Sequence, residues 1–141
     1  MLNLTTSRSR VCGKKSERAM SNALAHRTGA AVLVGGYLLA REDREGKSTH
    51  APLTGSILAA ICTNIPDVLE PASHPHHRQF FHSLAFAGLV GYGMYKTYEW
   101  NPEADFDKFI RFCLLTAGAG ILIHLAMDSG TPRSLPLFGK S

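Results

Sequence analysis

The chain has 141 residues, enough for one domain with a buried core and too few for two independent ones. Hydrophobic residues make up an ordinary 45%, but they fall in long blocks separated by short, strongly polar stretches. The formal net charge is +4, and Arg8, Arg10, Lys14, Lys15 and Arg18 crowd into the first eighteen positions. That stretch has no aromatic residue to interleave with its charges, which argues against nucleic-acid binding and leaves an anionic lipid surface as the better partner.

The charge run reads as a basic flexible tail over 1–19, ahead of a helical metal-binding domain over 20–141. Met20 is a candidate native start, since no motif precedes it. Cys12, Cys62 and Cys113 are odd in number and lack metal-finger or redox spacing. They read as reduced, buried small hydrophobes of an intracellular or membrane-embedded protein. No cleavable leader is expected, because the tail is long and polar and the first apolar block runs past any Ala-x-Ala site.

The first apolar block covers about Met20 to Ala40 and ends at the charged turn Arg41 to Lys47. The second covers about Pro52 to Thr63, with Pro52 in a first-turn position and Asn64 and Pro66 beyond its end. The third runs about Phe80 to Tyr98, with Ser83 as a candidate cap. The fourth runs about Asp105 to Met127, and its acidic start suits the helix dipole. Alternation is weak, and Ala, Leu and Gly dominate over Val, Ile and Thr, so strands are not expected.

The predicted fold is all-α, a small up-and-down bundle of about four helices embedded in a membrane. Phe112 to Met127 carries no charged residue, and the small residues Ala117 to Gly120 suit close helix approach. The second block, at about twelve residues, is short for a full span. The competing reading is a soluble bundle with buried helices. The small-residue patches permit a homo-oligomer without demanding one.

Up-and-down topology brings six of the seven histidines to one end of the bundle. His26 lies near the start of the first helix; His74, His76, His77 and His82 fall in HPHHRQFFHS; His124 closes the fourth helix. Asp67 and Asp128 join them, whereas His50 belongs to the other end. His124 and Asp128 are four apart, so they project from one helix face about a turn apart. Such a pair is more often simply hydrogen bonded, but at the end of the most apolar helix an unpaired carboxylate is costly. Arg78 stays protonated, so it serves as an anion holder and not as a ligand.

The ordered set His26, Ile65-Pro66-Asp67, His77-Arg78, His82-Ser83 and His124 with Asp128 resembles the YdjM-type inner-membrane metal-dependent hydrolases. These are small multi-helix bacterial membrane proteins with motifs of the form PD, HR, HS and HxxxD in this order. The resemblance covers about Ala25 to Leu137; no one motif is specific, and order and spacing carry it. It implies a multi-pass location in the bacterial inner membrane and metal-dependent hydrolase activity on a poorly defined substrate. Where the family commonly has a second aspartate two residues after the first, this chain has Leu69, followed by Glu70.

The expected metal ligands are therefore drawn from His26, Asp67, His77, His82, His124 and Asp128. Mixed imidazole and carboxylate donors suit zinc, with manganese or iron as alternatives. Asp67 or Asp128 is the expected general base, and Arg78 the group that holds developing negative charge. The expected substrate is a phosphoester or a lipid-related small molecule, at a site facing the cytoplasm beside the basic tail. The alternative is a non-catalytic metal-binding membrane protein with a structural or regulatory role. A transport role would need donors at mid-bundle.

Overall fold

The computed structural model describes residues 5–69 and 80–129, with side chains of the first helix described from residue 22 onward. Four long helices and one short one follow in chain order: α1 (Thr5–Glu45), α2 (Ala51–Cys62), α3 (Ile65–Leu69), α4 (Leu84–Glu99) and α5 (Asp105–Ser129). Among the described residues there is no strand. The chain is an all-α bundle.

Helix α1 continues N-terminal of Met20 as far as Thr5, so no helix break marks the division between residues 19 and 20. The extra turns are rich in Ser, Arg and Lys and contain no proline, which lets the helix run on. Its other end is sharply defined. Gly46 takes φ 62°, and its amide donates to the Asp43 carbonyl while the Lys47 amide donates to the Glu42 carbonyl. That pair of bonds closes a helix through a left-handed glycine.

The second apolar block reaches further than its twelve residues suggest. Pro66 has no amide hydrogen to give to the Cys62 carbonyl, so the helix breaks at Thr63 and Asn64 and restarts as α3. The Asn64 side chain turns back to the Ala60 carbonyl at 3.4 Å. Ala51 to Leu69 together make a stretch of 19 residues apolar enough to cross a membrane, as do Asn22–Glu45 and Asp105–Ser129. The expectation that this block falls short of a span is thereby corrected: α3 extends it.

Polarity is distributed inside out. Val32 is 70% exposed and Leu53 65%, while His26, Thr63, His82, Ser83, Thr116 and His124 are buried. In water this would waste apolar surface; in hydrocarbon the outward leucines and valines meet lipid and the polar groups meet one another. Three long apolar helices with such exteriors make this a membrane-embedded bundle.

Helix α5 is the axis of the bundle, packing on α1, α2 and α4, while α1 also packs on α2. The α2–α5 contact is backbone on backbone. A Cβ at Gly120 would stand 2.6 Å from the Ala59 carbonyl oxygen and 3.1 Å from its Cα, so only glycine fits there. Ala59 is itself fully buried with Ala30 and Val34, and Leu38, Ala119 and Ile123 pack around them. This close seam sets the height at which the last turns of α5 meet α3.

Candidate metal centre

Four chain segments converge at one end of the bundle, and each has a local reason for its position. The Pro66 break re-aims the chain so that Asp67 follows in the first turn of α3. Ser83 caps α4: its hydroxyl oxygen accepts from the Phe86 amide at 3.2 Å and its O–H donates to the Phe80 carbonyl at 2.6 Å. The predicted cap is thus in place, and it holds the turn that carries His82. The rings of Phe80, Phe81 and Phe86 pack mutually, with Phe81 and Phe86 edge to face at 5.1 Å, and pin that turn to α4. Helix α5 supplies His124 and Asp128 from one face, as their spacing predicts.

The donor atoms lie close together. His82 Nε2 is 3.1 Å from Asp67 Oδ1 and 3.7 Å from Asp128 Oδ2. His124 Nε2 is 3.6 Å from each of the same two oxygens and 3.3 Å from His82 Nε2. His26 stands on the far side of Asp128, with Nε2 3.3 Å from Oδ1, and its ring lies against that of His124 at 4.4 Å between centroids. Asp67, His82 and His124 form one set able to hold a metal, and His26, His124 and Asp128 form another.

The chemistry of this donor set fits a cation. Two imidazole nitrogens face each other and both face carboxylate oxygens, an arrangement that one proton per ring cannot satisfy in every direction. Donors on a tetrahedral ion with bonds of about 2.0–2.1 Å stand about 3.3–3.4 Å apart. Five of the six separations among His82, His124, Asp67 and Asp128 lie around that value, at 3.1 to 3.7 Å. His124 Nδ1 is buried without a hydrogen-bond partner among the described residues. A ring held through Nε2 carries its hydrogen there.

Burial is uneven around the centre. The side chains of His82, His124 and Asp128 are 3%, 1% and 12% exposed, whereas Asp67 is 46% exposed. Among the described residues, Asp67 is the donor on the open side.

Five of the six expected ligands, His26, Asp67, His82, His124 and Asp128, therefore share one end and one cluster. His77 and Arg78 lie outside the described residues, as do His74, His76 and Glu70. His50 sits at the opposite end, at the N-terminus of α2. Sequence reasoning passed over the aromatic pin; its signal is the Phe80-Phe81 pair directly before His82-Ser83, with Phe86 one turn on. Cys62 and Cys113 are half-buried free thiols away from this donor set.

A polytopic helical membrane protein with a histidine–aspartate centre at one end of its bundle is what these features define. The family model described as YdjM inner membrane protein matches residues 20–139, and the chain belongs to that family. No curated protein and no solved structure matches it.

Proposed function

We propose that this chain is a membrane-bound metal-dependent hydrolase acting on a phosphoester or lipid-related substrate. The observation that carries the reading is the meeting of His82 Nε2 and His124 Nε2 with carboxylate oxygens of Asp67 and Asp128 at 3.1 to 3.7 Å. When bound, zinc (or manganese or iron) would polarise a substrate oxygen and lower the pKa of coordinated water toward neutrality.

The chain's own residues divide the remaining work. His82, His124 and the inner oxygen of Asp128 would hold the ion from the protein side. His26, bonded to the outer oxygen of Asp128, fixes that carboxylate's orientation. Asp67, on the open side, would accept a proton from an attacking water, a role that its exposure supports. Arg78 is assigned to the negative charge that develops on the substrate. The basic stretch from Arg8 to Arg18 supports a cytoplasmic position for this end, by the positive-inside tendency.

A second reading is favoured by the same four donors. Four protein ligands close a tetrahedral sphere, and closed spheres are structural. Full-length protein in detergent separates the two: metal-loaded and metal-stripped samples are assayed on phosphomonoester, phosphodiester and phospholipid panels. The hydrolase reading expects metal-dependent turnover that Asp67→Asn reduces while metal content persists. Turnover no higher than in stripped controls, with a full metal complement, would leave the structural reading.

A further inference from the structure

Helices α1 and α4 both pack on α5 but share at most a glancing contact with each other. The gap between them is a groove of about 490 Å³. Phe112, Leu115 and Ile123 of α5 form its floor, with Val34 and Tyr37 of α1 and Met94 of α4 as its walls. Toward the C-terminal end of α1 it runs into a second recess of about 540 Å³, with Tyr37, Arg41, Tyr98 and Leu115 common to both. There the lining changes from carbon to charge, with Arg41, Arg44 and Arg111 around the mouth.

We propose that this groove binds one phospholipid with an anionic headgroup, its phosphate held by these arginines and an acyl chain lying along α5. The site is independent of the metal centre: Arg41 is about 22 Å along α1 from His26.

Charge selects the headgroup. The acidic residue at the mouth is Glu45, and it is already engaged by Arg41 Nε at 2.7 Å and Lys47 Nζ at 2.9 Å. No carboxylate is thus left over among the lining residues to receive the ammonium of a zwitterionic head. Arg111 is pre-set for the phosphate. Its Nε donates to the Thr97 carbonyl and its Nη2 to the Tyr98 carbonyl, which caps the end of α4 and leaves further N–H groups of a rigid fork. Charge-assisted bonds from such forks suit phosphate oxygens in pairs.

Depth and position fit as well. Arg111 to Ile123 rises about 18 Å along α5, close to one leaflet of a hydrocarbon core about 30 Å thick. The mouth lies where Asn22–Glu45 leaves the membrane, and Tyr37 and Tyr98 stand at that level, as interfacial aromatics do. A second copy is a poor occupant, because two-fold docking would set three arginines against the same three.

The test uses the full chain in detergent micelles and native mass spectrometry, with phosphatidylglycerol and phosphatidylethanolamine as probes. Wild type is expected to retain phosphatidylglycerol about tenfold better than phosphatidylethanolamine. Arg41→Gln with Arg44→Gln should abolish that preference while metal content, read at the other end of the bundle, stays unchanged. Leu115→Trp should expel both lipids with the arginines intact, which separates a groove from a charged surface. Equal retention of the two lipids by wild type, or a preference that survives the double substitution, overturns the proposal. So does displacement of phosphatidylglycerol by millimolar inorganic phosphate, or a lipid-free dimer cross-linked through this face.

Discussion

His26 on α1 and Asp128 on α5 meet through Nε2 and Oδ1 at 3.3 Å, joining the two longest helices of the bundle. The other oxygen of the same carboxylate points at His82 and His124. One aspartate therefore serves three histidines, and on the proposed reading His26 acts on the centre through it. Removing such an orienting partner costs about 10- to 100-fold in metal affinity. His26→Ala should show that loss in competition with a chelator, and His82→Ala a larger one. Equal losses in the two variants would make His26 a direct ligand.

Metal removal should lower the melting temperature of the whole chain, because the donors come from α1, α3, the turn before α4, and α5. Zinc at about 100 times its Kd adds about 2.7 kcal/mol if it binds the folded state alone. Thermal melts with and without chelator measure this difference in wild type. In His82→Ala and in His124→Ala the two melts should coincide.

Ser83 caps α4 and steadies the turn bearing His82. Ser83→Ala is expected to cost about 1 kcal/mol of stability as a lost cap. It should also weaken metal binding, since the neighbouring imidazole loses its fixed aim. Ser83→Asp, which keeps a cap acceptor, should restore the stability; a melt and a metal titration on each variant check both halves.

Gly120 faces the Ala59 carbonyl so closely that Gly120→Ala must push α2 and α5 apart. The expected cost is about 1–3 kcal/mol. Gly36→Ala is the matched control, because a Cβ there meets nothing within 4 Å. It should be neutral or stabilising by up to about 1 kcal/mol. Similar melts for the two variants would remove the seam from the account.

Much of this arrangement is legible in the residues. Proline and serine punctuation located the ends of α2 and α4, the four-residue spacing put His124 and Asp128 on one face, and the acidic start placed α5. Other features are not local properties. The continuation of the second block through α3 depends on how the chain stacks after Pro66, which periodicity does not record. The 3.1 Å approach of His82 to Asp67 crosses a connection whose path no propensity predicts. The groove between α1 and α4 arises from a contact that is nearly missing, and amphipathic patterning reports only contacts that are made.

Both donor sets include His124 on α5, which the ribosome adds after α1 through α4. A nascent polypeptide that has inserted α1 through α4 already holds His26, Asp67 and His82, yet neither set is complete. On the metal reading proposed above, capture of an ion would wait for α5, and a product truncated before that helix would sit in the bilayer unable to retain one.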